Sequence, residues 1–213
     1  MKKKIKNEQE IFWEGSFGDD YISRNSSNKL VRSNINLFKK IFKNRSFPKN
    51  TLEIGANIGL NLKALKKIKP NMDLYAVEIN KKAVNYLEKV VDKNKIFQGS
   101  ILNLDDKFLK KKFELVFTKT VLIHINPTVL EKIYKMIYNL SSKYILFCEY
   151  YNPKPTKIKY RDFDNKLFKR DFAGDLMCQY KKLKLIDYGF VYHNDPFFPQ
   201  DDITWFLMKK IVK

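Results

Sequence analysis

The chain of 213 residues is 44% hydrophobic and 15% aromatic, which predicts one soluble globular domain over residues 1–213. No apolar run has the length that spans a bilayer, and no apolar stretch follows the basic N-terminus as it would in a secretory signal. The two cysteines show no metal-ligand spacing and are too few for a disulfide framework. We therefore expect no metal site, reduced thiols and a cytoplasmic protein without a membrane partner.

The charge balance is strongly basic, since 42 Lys and Arg against 23 Asp and Glu give a net charge of +19. Such an excess is typical of proteins that bind nucleic acids. Lysine and asparagine are, however, spread along the whole chain rather than gathered in one patch. We therefore expect a compositional background that favours anionic small molecules such as sugar nucleotides, and no specific nucleic-acid partner.

Residues 1–47 precede the first predicted strand and are expected to form a helical cap on a core that spans 48–213. Apolar residues at helical spacing, including Ile5, indicate a helix near the start of the chain. A second pattern of the same kind covers residues 30–42.

Between these two segments, residues 12–21 combine two glycines with aromatic side chains, which predicts a packed loop rather than a linker. Two interpretations of this loop are open. It is either a hydrophobic cap on the core or a lid over a bound cofactor. As a lid, it would place three side chains near the cofactor: Trp13, Tyr21 and Arg24.

The strongest motif is the stretch 51–61, where a β-favouring run is followed by a glycine turn and then by helical spacing. Gly55 and Gly59 let a ligand approach the backbone closely, and the start of a helix offers unpaired N–H groups. A dinucleotide-binding turn needs a third glycine, which this turn lacks. The carboxylate of Glu53 would face a pyrophosphate badly, and it suits a positive centre such as an ammonium or a sulfonium group.

The second predicted strand, 73–78, ends in Glu78. An acidic residue at this place can accept hydrogen bonds from both ribose hydroxyls of an adenosine. Together with Glu78, the stretch 51–61 resembles motif I of class I S-adenosylmethionine (SAM) methyltransferases, E/D-x-G-x-x-x-G. The resemblance implies SAM as the cofactor and assigns it these residues: Glu53, Gly55, Asn57, Gly59, Glu78, Ile79, Ser100, Ile101 and Lys119.

Within that set, the glycine turn and Glu53 are expected to hold the methionine end of SAM, and Glu78 the ribose. Ser100 and Ile101 are expected to hold the adenine. Many SAM enzymes carry an aspartate where Ser100 stands, so a serine hydroxyl or the backbone of Ile101 would have to bind the adenine amino group.

Further apolar runs at 95–98, 113–118 and 143–149 predict three more strands separated by helices. Strands that alternate with helices indicate a doubly wound, Rossmann-like parallel sheet. Two late runs, 183–192 and 203–209, leave no room for a helix between them and are predicted to be antiparallel. We expect an α/β fold with a seven-stranded sheet whose last strand is antiparallel, as in class I methyltransferases.

The methyl acceptor is expected beyond the ends of the fourth and fifth strands, because cofactor contacts occupy the first three strand ends. Residues 150–175 follow the fifth strand without clear periodicity, which predicts an irregular substrate loop. The candidate catalytic residues are His124, Glu149 and Tyr150, and the candidate substrate residues are Tyr151, Arg170 and Asp171.

Two histidines are candidate general bases. His124 lies just past the fourth strand, and the pKa of an unperturbed histidine lies near neutrality. A histidine among apolar residues is also often a hydrogen-bonded structural residue, so both interpretations of His124 stay open. His193, between the two late strands, is a weaker candidate.

Five segments of the chain resemble the pseudaminic acid biosynthesis-associated methylases, and the resemblance spans roughly residues 8–208. It implies a SAM-dependent methyltransferase linked to bacterial nonulosonic acid sugars. The implied acceptor is an oxygen or nitrogen of a small sugar or sugar nucleotide. The five segments are 55–62, 121–127, 149–153, 166–174 and 199–207.

Three other functions stay open. A nucleic-acid or protein methyltransferase usually carries D/N-P-P-Y/F after strand four, where this chain has Thr-Lys-Thr-Val at 118–121. A sugar-nucleotide epimerase or dehydrogenase uses the Y-x-x-x-K spacing that Tyr180 and Lys184 share, but it also needs a three-glycine loop. A non-catalytic module would bind SAM without transferring its methyl group.

Overall fold

The computed structural model describes residues 6–24 and 27–211, so Ile5, assigned to the first helix from sequence, lies outside the described residues. Nine strands occur in these ranges. They are β1 (Asn50–Ile54), β2 (Asp73–Glu78), β3 (Ile96–Gln98), β4 (Phe113–Lys119), β5 (Ser141–Glu149), β6 (Thr156–Tyr160), β7 (Phe163–Lys169), β8 (Leu183–Val191) and β9 (Ile203–Lys210).

Seven of these strands form one sheet in the order β3-β2-β1-β4-β5-β9-β8, and β6 pairs with β7 in a separate hairpin. The strands from β1 to β5 are parallel, whereas β9 runs antiparallel to both of its neighbours. The predicted doubly wound sheet with an antiparallel last strand is therefore confirmed. The strand order reverses between β1 and β4, which is where open α/β sheets leave a ligand-binding crevice.

Eight α-helices occur in the described ranges: α1 (Glu8–Glu14), α2 (Ser16–Arg24), α3 (Asn28–Ile41), α4 (Leu60–Ile68), α5 (Lys81–Leu87), α6 (Asp106–Leu109), α7 (Leu130–Leu140) and α8 (Phe172–Gln179). None of these described helices is long and apolar enough to cross a membrane. They cover both faces of the sheet, which explains why the parallel strands are apolar on both sides. On β4, Leu115 and Phe117 belong to the core cluster of α3 and α4, while Val116 belongs to that of α7 and α8.

The prediction of a loop over residues 12–21 is wrong, because this stretch forms the end of α1 and most of α2. Asn7 begins α1 with a capping box, in which its Oδ1 accepts the backbone N–H of Glu10 at 2.9 Å. Gly15 ends the helix, and α2 begins at the next residue. Gly18 lies inside α2 where the two helices cross, since a Cβ there would lie 2.0 Å from the Trp13 carbonyl oxygen. Both glycines therefore serve helix geometry rather than a loop.

The prediction that residues 150–175 are irregular is also wrong, because they contain the β6–β7 hairpin and the start of α8. Most side chains of the hairpin strands are exposed or half-buried, so their sequence lacks the apolar runs of the main sheet. The turn between them uses Arg161 and Asp162 at positive φ of 46° and 67°.

The hairpin and the N-terminal helices hold each other in place. Lys166 is buried, and its ammonium pairs with Glu8. The Gln9 side chain donates a hydrogen bond to the Asn165 carbonyl at 2.9 Å. The Phe12 and Phe163 rings meet with centroids 5.0 Å apart. The two helices are thus fixed over the carboxyl ends of the parallel strands.

Candidate active site

A cavity of about 400 Å³ opens at the carboxyl ends of β1 to β4, beneath α1 and α2. This is the ligand position of open α/β sheets, and the volume is typical of small-molecule sites. Three residues predicted to bind the cofactor are not on its wall, namely Arg24, Glu53 and Gly59. Nine are on it: Trp13, Tyr21, Gly55, Asn57, Glu78, Ile79, Ser100, Ile101 and Lys119.

The turn after β1 brings the backbone itself to the cavity wall. Gly55 has a φ of 71° and Asn57 a φ of 48°, both in the left-handed region. A Cβ on Gly55 would lie 2.5 Å from Val121 Cγ2, so only glycine fits there. Gly59, with a φ of 81°, lies behind the wall as the residue that begins α4. The turn can therefore present backbone groups to a ligand at short range.

Glu78 joins the end of β2 to this turn. Its side chain is buried on the cavity wall, and one carboxylate oxygen accepts the backbone N–H of Asn57 at 2.6 Å. The other accepts the backbone N–H of Asn80 at 2.8 Å. Burial raises the pKa of Glu78, and the backbone N–H donors partly offset that rise. Since a carboxylate has about four lone-pair sites, Glu78 can also accept a hydrogen bond from a ligand.

Glu53 lies behind the cavity wall rather than on it. One of its oxygens accepts a hydrogen bond from the Asn61 amide at 2.6 Å, and Asn61 lines the cavity. The other oxygen is buried and has no hydrogen-bond partner among the described residues. Burial raises the pKa of Glu53 to about 8, against the opposing effects of Asn61 and Lys119. The predicted interaction of Glu53 with the methionine end would therefore act through Asn61, or follow a shift of its side chain.

The end of the cavity near β3 is mainly apolar. Ile79, Ile101 and Leu102 lie on its wall together with Ser100. The Ser100 hydroxyl accepts the backbone N–H of Leu102 at 3.2 Å, which begins the short 3₁₀ turn Ile101–Asn103. This slot can take a flat heterocycle, with backbone groups and the Ser100 hydroxyl at its edge.

The two N-terminal helices close the cavity from above. The Trp13 ring lies 5.3 Å from the Tyr21 ring and 4.6 Å from the His124 ring. The Asn80 side chain fixes this cap, because its amide donates to Asp19 Oδ1 at 2.8 Å. Arg24 is exposed on the outside, with its guanidinium 5.2 Å from the Phe17 ring.

His124 lines the cavity and is buried. Its Nδ1 lies 2.6 Å from the Lys166 carbonyl oxygen, which can only accept, so Nδ1 carries the proton and Nε2 has a free lone pair. Burial lowers the pKa of His124 to about 4. The ring is therefore neutral at physiological pH and is a weak base. His193 is exposed near the start of β9, where its Nδ1 lies 2.8 Å from Asp202, and it does not line this cavity.

Glu149 and Tyr150 lie at the end of β5, outside the residues that line the cavity. The Glu149 carboxylate is buried and accepts backbone N–H groups of Val121, Leu122 and Ile123 at 3.1–3.4 Å. Burial raises the pKa of Glu149 to about 7, and these hydrogen bonds oppose the rise. This geometry holds the loop after β4 in place and favours a positioning role over proton transfer.

The three predicted substrate residues also lie off the cavity wall. Tyr151 is 42% exposed, with its ring 5.7 Å from the Phe206 ring. Arg170 forms an ion pair with Asp175, and Asp171 caps α8 by accepting the Gly174 N–H at 2.8 Å. Their contact with an acceptor stays a prediction.

The cavity wall also contains polar residues that sequence reasoning missed: Asn34, Asn61, Thr120, Gln200 and Asp201. Thr120 has a φ of 54°, which is rare for a β-branched residue and often marks a functional site. Gln200 and Asp201 directly precede β9. The sequence predicted β9 to be antiparallel, and an antiparallel strand starts at the edge of the sheet where the parallel strands end. The sequence could therefore have placed the start of β9 at the ligand edge.

Neither a protein-family model nor a curated protein matches the sequence. Solved structures match its fold. The 1,6-didemethyltoxoflavin N1-methyltransferase of Burkholderia thailandensis, with 1,6-didemethyltoxoflavin and S-adenosylhomocysteine bound, is 11% identical at a TM-score of 0.67. The match covers 100% of this chain and 94% of that one.

Two further solved structures match the fold of this chain. A plantazolicin methyltransferase in complex with S-adenosylhomocysteine is 13% identical, with a TM-score of 0.62 over 96% of this chain and 94% of its own. A SAM-dependent methyltransferase from Clostridium acetobutylicum is 15% identical, with a TM-score of 0.58 over 91% and 97%. The chain therefore has the class I methyltransferase fold. Within that class, none of these matches links it to pseudaminic acid.

Proposed function

We propose that this protein is a SAM-dependent methyltransferase that acts on a small polar acceptor. The observation that carries the proposal is Glu78, a buried carboxylate at the end of β2 that holds the glycine turn through Asn57 and faces the cavity. Solved structures of the same fold that hold S-adenosylhomocysteine, the product of SAM, support the choice of cofactor.

SAM supplies a methyl group that is already activated on a sulfonium centre. The cavity residues fit its three parts. Gly55 and Asn57 would hold the methionine part through the backbone of the turn, and Glu78 would accept the ribose hydroxyls. The apolar slot at Ser100 and Ile101 would hold the adenine.

The protein would contribute mainly by positioning the acceptor in line with the methyl group, which is a large effect in two-substrate reactions. Trp13 and Tyr21 cover the cavity from α1 and α2, so they would limit the access of water. His124 lies on the cavity wall with a lone pair on Nε2, but its low pKa makes it a poor proton acceptor. The proposed chemistry therefore rests on orientation more than on general base catalysis.

We also propose that the acceptor is sugar-like and that the enzyme serves bacterial nonulosonic acid metabolism in the cytoplasm. The support is the sequence resemblance, because three of its five segments contribute cavity residues: 55–62, 121–127 and 199–207. A coclaurine N-methyltransferase of the same fold is bound to N-methylheliamine, which supports a small-molecule acceptor. Tyr151 and Arg170 would then contact the far end of the acceptor, outside the cavity.

The test uses SAM with an isotopically labelled methyl group. The purified protein is incubated with it and with an extract of bacterial cells that lack the gene, and the label is followed by mass spectrometry. We expect label in a small, polar metabolite. Label in RNA, DNA or protein would contradict the acceptor class. SAM binding without any labelled product would favour a non-catalytic SAM-binding module.

A further inference from the structure

Three segments of the chain meet at one side of the cavity. Tyr21 comes from α2, Thr120 follows β4, and Asp201 precedes β9. They meet because β9 is antiparallel to β5, so that its first residues lie at the same edge as the last residues of β4 and β5. Tyr21 and Thr120 are joined by a hydrogen bond between their side chains. If the cofactor occupies the ends of β1 to β3, this side is where the acceptor must enter.

The charge of the cavity is opposite to that of the protein. The chain carries a net charge of +19, yet the acidic residues on the cavity wall are Glu10, Glu78 and Asp201. Lys119 is the one lysine or arginine among the described residues that line it. His124 adds no charge, because burial lowers its pKa to about 4. The positive surface of the protein would therefore repel a positively charged ligand, whereas the negative cavity would attract it.

Two aromatic rings share the cavity wall with Asp201, and one of them, Tyr21, lies near its carboxylate. Trp13 and Tyr21 line the cavity with ring centroids 5.3 Å apart. Tyr160 packs behind them, with its ring 4.9 Å from His124. Burial is the main effect that raises the pKa of the Tyr21 hydroxyl, and the nearby Tyr160 and Asp201 add to it. Aromatic faces beside a carboxylate are a typical binding site for an organic cation.

Two arginines lie close to these rings. The Arg24 guanidinium lies 5.8 Å from the Tyr21 ring, and Arg161 forms a side-chain hydrogen bond with Tyr160. Both arginines are exposed and neither lines the cavity, whereas Asp201 does. A ligand in the cavity would therefore contact the Asp201 carboxylate rather than either guanidinium.

We propose, on the basis of the function proposed above, that the methyl acceptor is an amine, and that Asp201 and the Tyr21 ring recognise it at the side of the cavity next to Thr120. An amine that arrives protonated gives its proton to Asp201, which is exposed and passes it to water. The nitrogen lone pair then forms the new C–N bond. The S–C bond breaks, its electron pair stays on sulfur, and S-adenosylhomocysteine is left. The methylated nitrogen carries the positive charge beside the Asp201 carboxylate until it loses a proton to water.

A hydroxyl acceptor fits this cavity less well. An alcohol is a weak nucleophile that must lose its proton during transfer, so it needs a general base. The histidine on the cavity wall is a poor base, and the Glu149 carboxylate is engaged by backbone N–H groups outside the wall. An ammonium group is far more acidic than an alcohol, so it can lose its proton to Asp201 and water before attack, and the neutral nitrogen then needs no base during the transfer.

The first experiment uses two cofactor analogues to test whether Asp201 attracts a positive charge at the position of the transferred methyl group. Sinefungin carries an amine where SAM carries its methyl sulfonium, whereas S-adenosylhomocysteine has an uncharged sulfur. Calorimetric titrations of both analogues are compared for the wild type and for Asp201→Asn. We expect sinefungin to bind Asp201→Asn about fivefold more weakly, a typical effect for an exposed charge pair, with S-adenosylhomocysteine unchanged.

The matched control is Asp202→Asn, because Asp202 bonds to His193 outside the cavity. Both analogues should bind this variant as they bind the wild type. If Asp201→Asn weakens both analogues equally or neither of them, Asp201 does not face the acceptor position and the inference is wrong. If S-adenosylhomocysteine does not bind the wild type at all, it is the proposed function that fails.

The second experiment compares glucosamine with glucose, and 2-phenylethylamine with 2-phenylethanol, in the presence of saturating S-adenosylhomocysteine. Saturation-transfer NMR reports the binding of each compound. We expect both amines to bind more tightly than the matching alcohols and to lose this advantage in Asp201→Asn. Equal binding of amine and alcohol, or no binding of either amine, would contradict an amine acceptor.

Discussion

Replacing Glu78 with alanine should weaken SAM binding by about 2–4 kcal/mol. The estimate counts two hydrogen bonds from the ribose hydroxyls to a charged carboxylate, each worth roughly 1.5–3 kcal/mol, and allows for partial replacement by water. The buried position of Glu78 supports the upper part of this range, because few waters can replace the lost acceptor. In terms of the dissociation constant, the change is roughly 30- to 700-fold.

Isothermal titration calorimetry with SAM measures this effect directly. Glu88→Ala is the matched control, since Glu88 is an exposed glutamate just after α5 and does not line the cavity. Glu78 also accepts the backbone N–H groups of Asn57 and Asn80, so a second effect on the loop is expected. Thermal unfolding of each variant measures that loss of stability separately.

Glu78→Gln separates the effect of losing the negative charge from the effect of losing the whole side-chain acceptor. The amide keeps one acceptor oxygen of similar shape but loses the charge and one acceptor. We expect an affinity between those of the wild type and Glu78→Ala. Unchanged SAM affinity in a folded Glu78→Ala protein would refute the assignment of the ribose to this carboxylate.

Four further predictions follow from other parts of the molecule. Because burial raises the pKa of Glu53 from 4.5 to about 8, its ionisation favours the unfolded chain, and its contribution to stability falls as pH rises through this window. The melting temperature of Glu53→Gln minus that of the wild type should therefore increase between pH 5 and pH 8 (roughly the titration window). A difference that stays constant over this range would contradict the burial of the Glu53 carboxyl group. Gly55→Ala should lower the free energy of unfolding by roughly 1–3 kcal/mol in urea titrations, since it forces a left-handed residue against Val121, and it should also weaken SAM binding. Replacing Tyr151 or Arg170 by alanine should slow methyl transfer to the true acceptor while SAM affinity stays within about threefold, and full turnover would remove both residues from the substrate site. Binding to DNA or RNA, followed by fluorescence anisotropy, should fall by roughly 10³-fold between 50 and 200 mM salt, and tight sequence-dependent binding at the higher salt would favour a nucleic-acid substrate.

The sheet could be predicted because each buried parallel strand is a run of apolar residues that is easy to recognise in the sequence. Leu115, Val116 and Phe117 point alternately to two apolar layers, so β4 has an uninterrupted apolar run. The glycine turn and Glu78 are equally visible, because left-handed backbone and close ligand approach restrict the residue types that fit.

The N-terminal helices and the hairpin could not be predicted in the same way. Gly18 is required by the crossing of α1 and α2, which is a tertiary contact, and it resembles a loop signal when only the sequence is known. The β6–β7 hairpin has mostly exposed side chains, so its strands lack an apolar run. Both elements are defined by the partner they pack against.

The acceptor side of the cavity shows a similar limit. Glu149 stands at the end of β5 as predicted, but the sequence could not show that its carboxylate points to the backbone of Val121 and Leu122. Asp201 reaches the cavity only because β9 returns antiparallel beside β5. Residue types and strand ends can be read from the sequence, whereas the direction of each side chain depends on packing.

A crystal structure of the protein grown with S-adenosylhomocysteine tests the central claim most directly. We predict one molecule in the cavity, with both ribose hydroxyls on the Glu78 carboxylate and the amino-acid part over the turn at Gly55. Its sulfur should point toward Thr120 and Asp201. S-adenosylhomocysteine bound elsewhere, or an empty cavity at saturating concentration, would contradict the account.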